Sequence, residues 1–343
     1  MDFKHSICIL TQSDLIDAGC FDFLSAIHIT EKTLISYAKG EVIFPDKVSV
    51  VFDESTQERI NCLPAGLKDE KIYGMKWISV FPQNPYLRNL PNLSAVILLS
   101  ELETGFPIAF MEGTLCSNIR TAAMSDIAAK HLAKPNPHII GFIGSGEQAK
   151  SHFLAMKSVF PSINVCRISS NSAASEEIFI RQMQQYYPDT TFTAYHEDYE
   201  KAIMGADIIV TAISGQEPIL KADWINRGVF YSHVGGYEDE YAVANKADKI
   251  VCDDWEVVKH RNQTISRMYK QNLLKDSDIY ANLYEIVAGH KPGRQNLEEF
   301  IYYNGVGMSY VDVALAYWMY QKVRDKGLGT MITMQEKSMF DYN

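Results

Sequence analysis

Apolar and polar positions divide the chain into two textures. A short apolar strand at 6–10 is followed by a helix opening at Ser13 and a second helical pattern from Ser25 to Lys39, closed by Gly40. The runs Val48–Phe52, Arg59–Leu63, Tyr73–Phe81 and Ser94–Leu99 come next, each bounded by Pro, Gly, Asn or Asp. Such punctuation predicts a sheet of antiparallel or mixed strands. Glu103-Thr-Gly105 predicts a hairpin turn before a further strand, Pro107–Met111. Strand alternation puts Lys76 on the opposite face from Met75 and Trp77.

From Leu115 the texture changes. A helix rich in small residues runs to Leu132, and strands at Ile139–Ile143, Asn164–Ile168, Thr191–Ala194 and Asp207–Ile213 then alternate with helical patterns from Glu147, over Ala173–Tyr187 and near Tyr199–Met204. Shorter strands are expected near Val229–Tyr231 and Lys249–Cys252. That alternation predicts a parallel sheet wound by helices. The fold class expected is therefore α/β, a Rossmann-type doubly wound sheet beside a second α+β domain. The last pattern, Met308–Lys326, is one long helix ended by Gly327, placed to return to the first unit.

At the first parallel strand the apolar run stops at Gly144-Ser145-Gly146, with Glu147, Gln148 and Ala149 opening the helix. Strand, Gly-x-Gly-x-x-Ala turn and helix together fit a dinucleotide pyrophosphate on a helix N-terminus. The second strand ends in Ser169, Ser170 and Asn171, where an NAD-selective fold carries an acid on the ribose. Uncharged side chains there admit NADP without compelling it, so the cofactor expected is NAD(P). A serine-rich turn indifferent to the cofactor is the alternative.

Composition narrows the partners. The 343 residues carry a net charge of -10, with a pI near 5.4, which argues against nucleic acid and anionic membrane as main partners. Neither a signal peptide nor a membrane span is legible, and six scattered cysteines show no metal-ligand spacing, so a cytoplasmic, metal-free protein is expected. Against that acidic background Arg59, Lys76 and Arg120 interrupt apolar runs. Buried cations need an anionic partner. Either acids such as Glu112 supply it or a carboxylate-bearing small molecule does. Arg88, in Asn84-Pro-Tyr-Leu-Arg-Asn89, is a further cation on a loop.

Gly74-Met-Lys-Trp77, Glu103-Thr-Gly-x-Pro107, Arg120-Thr-Ala-Ala123, Gly144-x-Gly-x-Gln-Ala149, Asp207-Ile-Ile-Val-Thr211, Val234-Gly-Gly236, Lys291-Pro-Gly-Arg294 and Gly305-Val-Gly-Met308 follow in this order. The chain resembles the ornithine cyclodeaminase / mu-crystallin family of nicotinamide-dependent enzymes acting on amino acids and imines. The resemblance implies a homodimer whose subunits have a substrate and dimerisation domain, 1–122 completed by 306–343, and a Rossmann domain, 123–305. It implies substrate carboxylates on Arg59, Lys76 and Arg120, and a substrate bearing three carboxylates would also use Arg88. The cofactor would lie on Arg120, Thr121, the glycine turn, Ser169–Asn171, Ala212, Ile213, Ser214, Val234 and Gly235. Where the cyclodeaminases carry a catalytic Asp, Tyr237 stands, followed by Glu238, which either replaces that acid beside Lys76 in catalysis or is a surface acid. Gly-x-Lys-Trp-Ile, Asn84-Pro and Arg88-Asn89 look most like the N-(2-amino-2-carboxyethyl)-L-glutamate dehydrogenase branch of 2,3-diaminopropionate and siderophore pathways.

Overall fold

Thr11 opens the first helix by accepting from the Asp14 N–H while the Asp14 carboxylate reaches back to the Thr11 N–H, a reciprocal cap. In the computed structural model, which describes residues 4–53 and 55–341, the chain starts β1 (His5–Leu10), α1 (Gln12–Asp17) and α2 (Phe23–Ala38). There follow β2 (Val42–Ile43), β3 (Val48–Asp53), β4 (Glu58–Leu67), β5 (Ile72–Val80), α3 (Asn84–Leu87), β6 (Leu93–Glu101), β7 (Pro107–Glu112) and α4 (Thr114–Leu132). The alternating segment is β8 (Ile139–Ile143), α5 (Glu147–Val159), β9 (Val165–Ser169), α6 (Ala173–Tyr186), β10 (Thr191–Ala194), α7 (Tyr199–Ile203), β11 (Ile208–Thr211) and β12 (Phe230–His233). It continues through α8 (Tyr241–Lys246), β13 (Lys249–Cys252), α9 (Trp255–Val258), α10 (Thr264–Lys270), β14 (Ala281–Asn282), α11 (Leu283–Val287) and β15 (Ile301–Asn304). The chain closes with α12 (Ser309–Asp325) and β16 (Thr330–Gln335).

Two compact units result, one from residues 1–120 with 308–343, the other from 121–307. In the first, the strand order is β16-β1-β7-β6-β5-β4-β2, with β3 also paired to β4. Most neighbours are antiparallel; β1 and β7 run parallel. One face of this sheet packs against α12, which in turn packs on α2. From Ser309 to Ala316 every residue of α12 is buried, as a helix apolar on all sides requires. Gly74 permits that approach: a Cβ there would lie 2.9 Å from both a Leu99 methyl and a Val313 methyl.

The second unit is a wholly parallel sheet of order β10-β9-β8-β11-β12-β15-β13-β14. Ile208, Ile209, Val210, Phe230 and Tyr231 are buried in its centre, where strands covered on both faces read as continuous apolar runs. Strand order reverses between β8 and β11. In open parallel sheets, ligands bind at the strand C-termini flanking such a switch. β15 lies between β12 and β13 and β16 edges the first sheet; neither was legible in the sequence. Among the described residues no helix is long and apolar enough to cross a membrane.

Candidate active site

β5 runs through the middle of the first sheet, so its alternate side chains are sealed beneath α12. Lys76 is 1% exposed, while its neighbour Trp77, on the outer face, is 45% exposed. The Lys76 ammonium donates to Asp312 Oδ1 at 2.6 Å and to Ser117 Oγ at 3.3 Å. Arg120 donates through Nε to the same Asp312 oxygen at 2.9 Å. Residues from β5, α4 and α12 thus form a buried cluster of two cations on one carboxylate. Burial, then the Arg120 charge, push Lys76 down to about 8, although Asp312 acts in the opposite direction. Desolvating such a cluster costs about as much as its attractions return, so fold stability alone does not account for it.

Strand pairing sets Arg59 opposite Val80 and Lys76 opposite Leu63, so Arg59 and Lys76 share the α12-facing side of the sheet. Arg59 donates to the Gln57 carbonyl at 2.7 Å, and burial lowers its pKa; no carboxylate among the described residues pairs with it. Arg88 is different. It is exposed, donating to Asn84 Oδ1 at 3.0 Å and lying 3.9 Å from Glu58. Among the described residues nothing links it to the Lys76 cluster, which corrects the expectation of four cations gathered together. Glu112 is likewise corrected as a partner for the cations: its carboxylate accepts from the Thr114 and Leu115 N–H groups and caps α4. The acid that does pair with them, Asp312, went unread. Its signal was an acid inside the apolar run Tyr310-Val-Asp-Val-Ala-Leu315, the mirror image of Lys76 in β5.

In the second unit Gly144 has φ +108, and a Cβ on it would lie 2.5 Å from the Ala212 carbonyl oxygen. Only glycine makes that turn without strain. Gly146 is the N-cap of α5 with no side-chain cap, and a Cβ there would meet nothing within 4 Å. Open space beside this N-cap and the positive end of the α5 dipole together fit a pyrophosphate. Ala149 is fully buried against the sheet; Glu147 is exposed and pairs with Lys150 at 2.7 Å. Ser145 Oγ donates to Ser170 Oγ or Ser175 Oγ, at 3.0 and 2.7 Å.

The serines after β9 require a correction. Ser169 is fully buried and its hydroxyl has no hydrogen-bond partner among the described residues, while the Ser170 hydroxyl is engaged with Ser145, Ser172 and Glu176. Neither side chain is free to read a ribose; Asn171 alone of the three is exposed.

Ala212, Ile213 and Ser214 leave the end of β11, and Val234 and Gly235 the end of β12, on the same C-terminal rim as the glycine turn. Glu238 ties these segments together. Fully buried, it accepts from Thr211 Oγ1 at 2.6 Å, the Ile213 N–H at 2.7 Å and the Gly235 N–H at 2.9 Å. That rules out the surface-acid alternative and leaves the carboxylate occupied with protein donors. His233, unread in the sequence, sets Nε2 3.3 Å from Glu238 and Nδ1 2.8 Å from Asn304 Oδ1. Asp239, 3.6 Å from the same imidazole, is pushed up to about 6 by burial. Thr121 is half-buried in α4. No His, Cys, Asp or Glu group among the described residues is placed to hold a metal ion.

The model of the ornithine cyclodeaminase/mu-crystallin family matches residues 10–327. The chain belongs to that family. One relative, the N-((2S)-2-amino-2-carboxyethyl)-L-glutamate dehydrogenase of Staphylococcus aureus, is 30% identical over 96% of this chain and 99% of its own. The solved Thermococcus litoralis Δ1-pyrroline-2-carboxylate reductase, in complex with NADH and L-proline, superposes with a TM-score of 0.89 at 28% identity, covering 94% of this chain and 99% of that one. An archaeal alanine dehydrogenase dimer with bound NAD gives 0.88 at 29% identity, over 96% and 100%. The mixed α/β architecture is thus shared with both solved structures, one of which holds NADH and the other NAD.

Proposed function

We propose that this protein is an NAD(P)-dependent oxidoreductase that converts N-(2-amino-2-carboxyethyl)-L-glutamate and water to 2-oxoglutarate and 2,3-diaminopropionate. The observation that carries it is the buried Lys76–Asp312–Arg120 cluster, in which two cations share one carboxylate, with Arg59 on the same face. The positive charge left over suits an amine bearing several carboxylates, and the Staphylococcus aureus relative is named for that substrate. The nicotinamide, when bound, supplies the two-electron acceptor for oxidation at the glutamate α-carbon. Arg120 and Arg59 hold carboxylates, the planar guanidinium of each offering paired donors. Lys76, with a pKa of about 8, cycles between amine and ammonium near neutrality: its neutral form accepts a proton as water adds to the imine, and the ammonium returns that proton to the departing 2,3-diaminopropionate nitrogen as the C–N bond breaks. Asp312 fixes the Lys76 ammonium and aligns Arg120. Glu238 serves as a positioning residue for the segments after β11 and β12.

A second reading, an alanine dehydrogenase or cyclic-imine reductase, draws on the likeness to the two solved structures, since the same cations can hold a single carboxylate. The purified protein would be given NAD+ or NADP+ with the glutamate-derived amine, L-alanine or L-proline, following nicotinamide absorbance and 2-oxoglutarate. Reduction with the first amine alone, with 2-oxoglutarate formed in equal amount, is expected. Turnover of alanine or proline instead would replace the substrate while keeping the class, and ammonia release from added L-ornithine without net cofactor reduction would identify a cyclodeaminase.

A further inference from the structure

We propose that Glu176 makes this protein discriminate against a 2'-phosphorylated dinucleotide, doing from α6 what an acid at the end of β9 does elsewhere. Here the strand end carries serines and an asparagine. Behind them lies a carboxylate that sequence spacing did not reveal. Glu176 is 1% exposed; its Oε1 accepts from the Ser170 N–H and from the Ser170 hydroxyl at 3.0 Å, and its Oε2 accepts from the His196 N–H at 3.2 Å.

Two consequences follow for a phosphate at this turn. Glu176 occupies the Ser170 N–H, a donor that a phosphate would otherwise use. Its charge also sits within one residue of the ribose-reading position, where a protein interior transmits repulsion well. The surroundings do not offset it. No Lys or Arg occurs from Ile168 to Ile180, and the loop after β10, which donates from the Glu197 N–H to the Ser170 carbonyl, adds Glu197 and Asp198, the second of them paired with Lys201 of α7 at 2.7 Å. That loop reaches Ser170 through left-handed backbone at two non-glycine residues, His196 (φ 22) and Glu197 (φ 57). A neutral ribose hydroxyl meets no such penalty and has the exposed Asn171 beside it.

Because this inference rests on the proposed dinucleotide cofactor, the test reads binding rather than turnover. Dissociation constants for NADH and NADPH would be measured by titration calorimetry on the wild type, Glu176→Gln and Asn171→Arg. The wild type should bind NADH about tenfold or more tightly than NADPH, and Glu176→Gln, which keeps an acceptor but loses the charge, should cut that ratio by about tenfold. Asn171→Arg, an exposed change that keeps Glu176, should improve NADPH alone. A wild type that binds both equally overturns the proposal whether or not Glu176→Gln folds. So does a Glu176→Gln protein in which both affinities fall together, the mark of a merely structural carboxylate. Failure of the wild type to bind either dinucleotide would instead remove the cofactor assignment itself.

Discussion

Lys76 is a lysine whose ammonium is costly to keep where it is. Below about pH 8 it is charged in both folded and unfolded states, and burial costs stability. As the pH rises from about 8 towards the ordinary 10.5, the folded state sheds its proton first, so wild-type stability rises relative to Lys76→Met, by on the order of 3 kcal/mol across the window. Denaturant melts of the two proteins at both ends of that range would measure it. Lys76→Met should retain NADH affinity and lose turnover; a variant that keeps near wild-type turnover removes Lys76 from the mechanism. Asp312 raises the Lys76 pKa, so Asp312→Asn should shift the rising limb of kcat/KM against pH to lower pH. Arg120→Ala should raise KM roughly tenfold or more with a smaller loss of kcat, since a charge-assisted contact to substrate is worth about 1.5–3 kcal/mol. The cations were legible because charge inside an apolar strand is conspicuous. Their partner was not, because Asp312 is 236 residues from Lys76 in sequence.

Elements set the cofactor turn, and two glycines in it should respond differently to the same change. Gly144→Ala forces a Cβ against the Ala212 carbonyl at a left-handed position and should cost several kcal/mol, about 2–4, in thermal or denaturant stability. Gly146→Ala has an ordinary extended backbone (φ -78, ψ -170) and open space, so the melting temperature should hardly move while NADH affinity falls. Equal loss of stability in both would mean that the turn is only a turn. Glu238→Ala should lower stability by about 2–4 kcal/mol, because Thr211 and the Ile213 and Gly235 N–H groups lose their shared acceptor inside the protein. At this scale the antiparallel strands were legible through alternation and punctuation, whereas α1 and α2 begin earlier than Ser13 and Ser25, at the caps Thr11 and Asp22. β15 was not legible, since Ile301-Tyr-Tyr-Asn304 is a four-residue run buried on both faces, with no alternation to mark it.

For the whole molecule, the sheet face turned away from α12 stays uncovered in the single chain. Val48, Val50, Trp77 and Phe110 are exposed on it, four large apolar side chains sharing one open face. We propose that a second copy of the chain covers this face, as the resemblance implied. Trp77→Lys should then give a monomer in sedimentation or light scattering while preserving the far-ultraviolet dichroism of the fold. A monomeric wild type would leave the face for some other partner.

Local chemistry along the chain was sufficient to determine the two architectures, the glycine turn and the presence of misplaced positive charge, because caps, alternation and turn residues act over a few positions. Tertiary structure decided what those charges do. It set Lys76 and Arg120 on a shared Asp312, left Arg88 at the surface, turned the Ser169 hydroxyl inward and drew Glu176 and Glu238 onto distant backbone N–H groups. The pairings of Lys76, Arg120, Glu176 and Glu238 join groups that only chain folding brings within hydrogen-bond reach, and desolvation favours each pairing once its members are buried.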